Sequence, residues 1–450
     1  MSLRQLRRPL IAALPLAVLA TAVVPGRASA QAGPPPAVVT GSARLPAIPL
    51  GEFSNALLPG SVGNDRGVKL GGIGSDVFPA GRAGEFWTVT DRGPNGQIKV
   101  DGSKRRTFPV PGFDPALVKI KVRGDRITVL DARPITTRSG KAVTGLPNQR
   151  SRDEAPYTFD AGQPLSYDPN GLDTEGVVRA ADGSFWLADE YGPSLVHVSA
   201  SGRVLARHVP RGLHLTGTDY PVVESLPGLL QKRKTNRGFE GLALLPDGDL
   251  VAAVQSPLSH PDTAAGAGAP PMSPGHEGES RTVRLLRFSP GKGAVTAEYA
   301  YRFDPVGEVD PGEDDTSELK ISSVVAVGRD RLLVEERTDK AARLHRVELA
   351  QRWDILGSRW DDPATSPSLE QSGGRAPVLP KRLVVDLRGV KGIPEKIEGI
   401  AVSGRRTLTL VNDNDFGMTD GPDAFDDQGR LVDSGVPTTV VTVRLRTAAW

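Results

Sequence analysis

One pattern, returning five times along the chain, constrains its fold more than any other feature. It runs polar residue, small residue, apolar stretch, Gly/Asp turn, second apolar stretch, then acids. The fullest copy opens at Glu175-Gly176-Val177-Val178, turns at Ala181-Asp182-Gly183 and ends at Phe185-Trp186-Leu187-Ala188-Asp189-Glu190. Another opens at Glu240-Gly241-Leu242, turns at Pro246-Asp247-Gly248 and ends at Ala253-Val254-Gln255. Glu398-Gly399-Ile400 leads to Leu410-Val411-Asn412-Asp413. Two copies open on serine: Ser75-Asp76-Val77 leads to Thr90-Asp91, and Ser322-Ser323-Val324 leads to Val334-Glu335-Glu336.

Each copy is a β-hairpin by its own chemistry, short β-branched or aromatic runs around a Gly/Asp turn. A second hairpin follows most copies, at 117–122 with 127–130, 195–198 with 204–209, and 283–288 with 295–303. Two hairpins make a four-stranded blade, so the expected fold is all-β: a β-propeller of four-stranded antiparallel blades. Five blades are expected, with six as the alternative count. After the last copy only the run 438–445 remains, so a strand from 38–49 is expected to close the ring. The excess over a common blade of about 40–50 residues sits in loops 134–169, 259–280 and 353–380, which read as lids or insertions. Paired immunoglobulin-like sandwiches also have short strands. They do not require the same residue types at the same place in five hairpins.

The first thirty residues stand apart. Arg4, Arg7 and Arg8 precede an apolar run over 9–24, and Ala28-Ser29-Ala30 supplies a small-x-small cleavage site, the pattern of a signal peptide. The run is short for a bilayer span of about 20 residues, and Pro15 and Pro25 bound or break it. Arg7-Arg8 also allows twin-arginine export. A single secreted or periplasmic domain over 31–450, monomeric and without a membrane span, is expected. Loss of the leader's four arginines and no acids takes the formal charge from +2 to −2. Such a balance argues against nucleic-acid and membrane-surface partners. The absence of cysteine excludes a thiol nucleophile, a thiolate metal site and disulfides.

In a propeller the start of the first strand and the end of the second share one face. Ser75, Glu175, Glu240, Ser322 and Glu398 are therefore expected to ring the axis. Asp91, Asp189, Glu190, Gln255, Glu335, Glu336, Asn412 and Asp413 form a wider ring. Carboxylates meeting at one axis repel. A bound cation relieves them, and oxygen-only ligands favour Ca²⁺. The alternative is that each glutamate only binds backbone amides of the next blade. Arg92, Arg237, Arg337 and Lys396 beside the acids suit an anionic or ester substrate, or else pair locally as weak surface bridges.

The expected chemistry is metal-assisted ester hydrolysis, phosphoesters before carboxylesters. Its catalytic candidates are Asp91, Arg92, Glu190, Asp413, Glu336 and Arg337. Arg237, Lys396, Tyr191 and Asn414 are the substrate-binding candidates. Rivals are a carboxylester or lactone hydrolase on the same metal, and a propeller that only binds a ligand. A serine esterase is disfavoured, because there is no Gly-x-Ser-x-Gly elbow and no histidine at the repeated mouth positions. The acidic run 310–318 reads as a solvated loop. The run 412–423 has the composition of a calcium loop without EF-hand spacing.

The segments Leu172-Asp173-Thr174-Glu175-Gly176, Trp186 to Gly192, Asn236-Arg237-Gly238-Phe239-Glu240-Gly241, Ile397-Glu398-Gly399 and Thr90-Asp91-Arg92-Gly93-Pro94-Asn95-Gly96 resemble the esterase-like phytase family. The resemblance runs from about Gly71 to Gly417 and implies ester hydrolysis without naming a substrate. More distantly, the axial order Ser, Glu, Glu, Ser, Glu is similar to the calcium ring of five-bladed calcium-dependent nucleotidases (apyrases). That similarity implies calcium on Ser75, Glu175, Glu240, Ser322 and Glu398, with Asp91 and Arg92 at the phosphate.

Overall fold

The second strand of each hairpin explains the apolar runs. Glu85–Val89, Phe185–Asp189 and Leu250–Val254 are buried along their whole length. Such a strand has no solvent face, so it reads as a continuous apolar run and not as an alternation. In the computed structural model, described for residues 37–58, 62–259, 280–373 and 375–449, these strands sit inside four-stranded antiparallel arrangements. Among the described residues the chain is all-β apart from two short α-helices, Leu50–Leu57 and Val306–Val309, and 3-10 turns. The expected leader and nearly all of the 259–280 loop lie outside the described residues.

The sheet order follows the hairpins. Val77–Pro79, Glu85–Val89, Ala116–Arg123 and Arg126–Pro134 pair in sequence. So do Thr174–Arg179, Phe185–Asp189, Ser194–Val198 and Val204–Pro210, with Val222–Leu226 added in parallel at the outer edge. Phe239–Leu244, Leu250–Val254, Thr282–Ser289 and Ala294–Arg302 make the third set, and Val324–Gly328, Arg331–Arg337, Ala342–Glu348 and Lys381–Asp386 the fourth. Ile397–Gly404, Thr407–Asn412 and Thr439–Leu445 are completed by Ala37–Arg44, which pairs antiparallel with Thr439–Leu445.

The first strands of these sets pack side by side in chain order, and the last, Ile397–Gly404, touches the first, Val77–Pro79. Each neighbouring pair of sheets encloses an apolar cluster. Trp87, Leu117, Val177 and Phe185 fill the space between the first and second sets. Val178, Trp186, Phe239 and Phe288 fill the next. The others hold Val251, Tyr301 and Leu332, Leu333, Leu344 and Leu408, and Phe86, Ile120, Val411 and Val440. Face-to-face burial of this kind is the main source of stability in an all-β chain.

Close approach of the first strands dictates the small residue after each polar opener. A Cβ on Gly241 would stand 2.8 Å from the Val324 amide nitrogen, and one on Gly399 would stand 2.9 Å from the Asp76 carbonyl carbon. Asp76 takes the glycine's place in the first set. Its carboxylate accepts hydrogen bonds from Val77 N at 2.8 Å and Val177 N at 2.9 Å, joining two adjacent first strands.

The loops are not alike. Segment 353–380 builds a small core of its own, with Ile355, Leu369 and Ala376 against Ala300, and its buried Glu370 pairs with Arg284 at 2.8 Å. Within 134–169, Glu154 bonds both Nε and Nη2 of Arg106, at 2.9 and 3.1 Å. Asp153 pairs with Arg233.

Candidate functional site

The strand ends converge on a cavity of ≈ 560 Å³. Nine carboxylates and six basic side chains line it, with only five neutral residues. Asp91, Arg92, Glu175, Glu190, Arg237, Glu240, Arg337, Lys396, Glu398 and Asp413 all line it.

Local backbone irregularity aims the three axial glutamates. Pairing of the first two strands slips between Thr174 and Gly176, between Phe239 and Leu242, and between Ile397 and Gly399. Each slip is a β-bulge containing the glutamate, and a bulge re-aims the side chain it carries. One bulge is anchored from behind. Arg207, fully buried, binds Asp189 at 2.6 Å, and the Asp173 amide donates to the other oxygen of Asp189 at 2.9 Å. Asp189 therefore serves the site from beneath and does not reach the mouth.

Asp173, Glu175 and Glu190 bring one oxygen each within 4.8 Å of one another. Burial first, then the charges of Glu240 and Asp173, push the Glu175 carboxyl well up. Burial first, then Asp173 and Glu240, does the same to Glu190. Oδ2 of Asp173 and Oε1 of Glu190 are buried with no hydrogen-bond partner. Crowded, dehydrated oxygens with free lone pairs fit a hard divalent cation. Beside them, Arg92 Nη1 stands 3.1 Å from Asp173 Oδ2, misaligned for a hydrogen bond. Arg92 Nε and Arg237 Nη1 are also unpartnered. Such donors suit the oxygens of an anion.

The far side is organised differently. Lys396 Nζ pairs with Asp413 at 2.8 Å and with Asp415. Burial, then Asp413, raises Asp415 to about 6. Burial, then Asp413 and Asp173, raises Asp91 well above the usual carboxylate range. Asn236, Lys396, Asp415 and Phe416 have positive φ values of 55°, 51°, 49° and 55°. Backbone strain of this kind gathers where side chains must be held for function.

Five sequence candidates sit elsewhere. Glu336 points to the opposite face of its strand, where it accepts from Tyr301 Oη and Asp304 N and pairs with Lys381. Period-two alternation puts Glu335 and Arg337 on one side and Glu336 on the other. Tyr191 is buried and donates to the Gly145 carbonyl. Asn414 is a loop brace, accepting from Gly72 N and Thr438 Oγ1. Ser75 Oγ is buried without a partner. Ser322 Oγ donates to Glu240 at 3.1 Å and accepts from Arg337 at 2.7 Å. Glu175 clusters with Asp173 and Glu190, Ser322, Glu240 and Glu398 group around Arg337, and Glu240 is near enough to Glu175 for its charge to raise the Glu175 carboxyl. Asp173, Asn95, Arg106, Asn236, Lys320, Asp339, Asp415 and Asp420 also belong to the site or its lining. They fall outside the repeat register; Asp173, Asn95 and Asn236 lie in the runs that resemble the family and Asp415 and Asp420 in the acidic run 412–423, whereas Arg106, Lys320 and Asp339 carried no signal.

A model of the phytase-like family, described by esterase-like activity of phytase, matches residues 68–416. An uncharacterized secreted protein of Arthroderma benhamiae is 25% identical over 313 residues, 59% of this chain. The chain spans 58% of that curated relative's length. Among solved structures, a luciferin-regenerating enzyme aligns over 83% of this chain and 78% of its own, with TM-score 0.34 and 11% identity. The calcium-binding protein regucalcin from Agrobacterium tumefaciens aligns over 84% and 92%, with TM-score 0.31 and 9% identity.

Proposed function

The chain belongs to the phytase-like family, and from that membership we propose that it is an exported, calcium-dependent ester hydrolase preferring phosphoesters. Export rests on the N-terminal leader pattern and on the secreted relative. The five sets of strands are read as blades of one propeller domain, closed by Ala37–Arg44 and working as a monomer. The observation that carries the function is the trio Asp173, Glu175 and Glu190, with unpartnered oxygens beside the unpartnered donors of Arg92 and Arg237.

These three carboxylates would hold Ca²⁺, which when bound polarises an ester oxygen and lowers the pKa of a bound water. Arg92 and Arg237 bind the non-bridging oxygens and oppose the charge that builds up in the transition state. Asp91 and Asp413 are the groups placed to take a proton from the attacking water and return it to the leaving oxygen. Arg106, held by Glu154 and Asn95, sets the rim. Water supplies the new oxygen–phosphorus bond, the bond to the leaving oxygen breaks, and an alcohol and a phosphate depart. The unpartnered donors of Arg92 and Arg237 favour an anionic ester over a neutral one.

Hydrolysis of p-nitrophenyl phosphate, bis(p-nitrophenyl) phosphate and p-nitrophenyl acetate, each with calcium and with excess chelator, tests this. Calcium-dependent phosphate release is the expected result. Acetate cleavage alone would move the assignment to a carboxylester or lactone hydrolase. No turnover of any of the three would overturn the catalytic reading.

A further inference from the structure

The axial position that crowding assigns to a metal already holds a cation from the chain itself. Arg337 is 1% exposed. Its Nε donates to Ser322 Oγ at 2.7 Å, its Nη1 to Asp339 at 3.0 Å and its Nη2 to Glu398. Nη2 also lies 4.0 Å from Glu240 Oε1, and the Ser322 hydroxyl donates a hydrogen bond to that same oxygen at 3.1 Å. One guanidinium fork therefore organises three of the five residues expected to ring a calcium ion. A planar, always charged, five-donor group suits this task, because it meets several oxygens at fixed angles and cannot lose its proton.

We infer that Arg337 is the resident cation of the axis, standing where a second divalent ion would otherwise bind between Glu240, Glu398 and Ser322, and so confining the metal to Asp173, Glu175 and Glu190. A further observation supports an ion site at the arginine. Glu240, 3% exposed, has its second oxygen Oε2 buried with no hydrogen-bond partner. The donors left by removing Arg337 are all oxygens, the ligand set of calcium and not of zinc. The arginine thus sets metal stoichiometry, and the inference rests on the metal reading above only for the first ion.

The test is calcium stoichiometry by isothermal titration on the full chain, with thermal unfolding followed in calcium and in chelator. Wild type is expected to bind one ion, R337Q two, and R337K one. The double variant D173N/R337Q is expected to bind one, at the axis. Should wild type bind none while R337Q binds one, the metal reading of the proposed function fails and this inference stands. A wild-type count in folded R337Q overturns it. So does an R337Q chain that is unfolded in calcium and chelator alike, because a divalent ion then cannot take the arginine's place. An R337Q chain that folds only with calcium supports it.

Discussion

Single residues decide most of what the cavity can do, and three of them allow direct tests. Glu190 has a buried, unpartnered oxygen among like charges. E190Q replaces a carboxyl that burial and the neighbouring acids disfavour as an anion in the calcium-free fold. It is expected to leave the unfolding temperature in chelator unchanged or raised, to abolish the rise on adding calcium, and to lower ester hydrolysis by about 100-fold or more, the scale of losing one preorganised charge partner. Asp76 gives a pH signature. Its carboxyl is raised from 3.8 to about 7 by burial, against the opposing pull of the Val177 and Val77 amides. Between those values the folded chain keeps a proton that the unfolded chain has released. The stabilisation is therefore complete below 3.8 and disappears as pH rises to about 7, by at most about 4 kcal/mol. Denaturant unfolding of wild type and D76N across that window should diverge by this slope; parallel curves would remove the assignment. The repeat register exposed Glu175, Glu240 and Glu398 to a reader of the sequence. It misplaced Glu336, since strand parity near a mouth cannot be read without the pairing partner. It passed over Lys320 and Asp339, which reach the cavity from outside the repeated hairpins.

At the level of elements, the hairpins were legible because each carries a complete set of local instructions: apolar run, Gly/Asp turn, apolar run. The bulges were not. A bulge is a mismatch between two strands, and the Glu-Gly pair announces it only once Gly241 is seen against Val324 and Gly399 against Asp76. Gly241→Ala is expected to cost about 1–3 kcal/mol by overpacking against backbone. Gly291→Ala, with nothing within 4 Å of the new methyl, should stay within about 0.5 kcal/mol of wild type. Equal midpoints for the two in urea would show that the first strands do not constrain each other. The loops resisted reading for a different reason. Composition marks 353–380 as irregular, yet Leu369 and Glu370 anchor it through contacts with Ala300 and Arg284 that no local pattern encodes.

For the molecule as a whole, the pairing of the first described strand with the last was foreseeable from the count of strands after the last repeat, since Thr439–Leu445 had no further partner downstream. Removal of residues through Arg44 should leave that strand with unpaired amides and carbonyls, an edge open to other chains. Size-exclusion chromatography is expected to show association, together with a lower unfolding temperature; a monomer of unchanged stability would contradict the pairing. The pairing of Ala37 with Leu445 has another consequence. One sheet contains both the first described strand and the last, so it cannot be completed until both have been synthesised. That sheet must then be completed late, after the segments between its first and last strands exist. By the same geometry Ala37 and Leu445 are close enough to be bridged by a short linker, and the chain could be reopened at an exposed turn such as Ala181-Asp182-Gly183. A circular permutant of that kind would keep every sheet and move only the point at which synthesis begins.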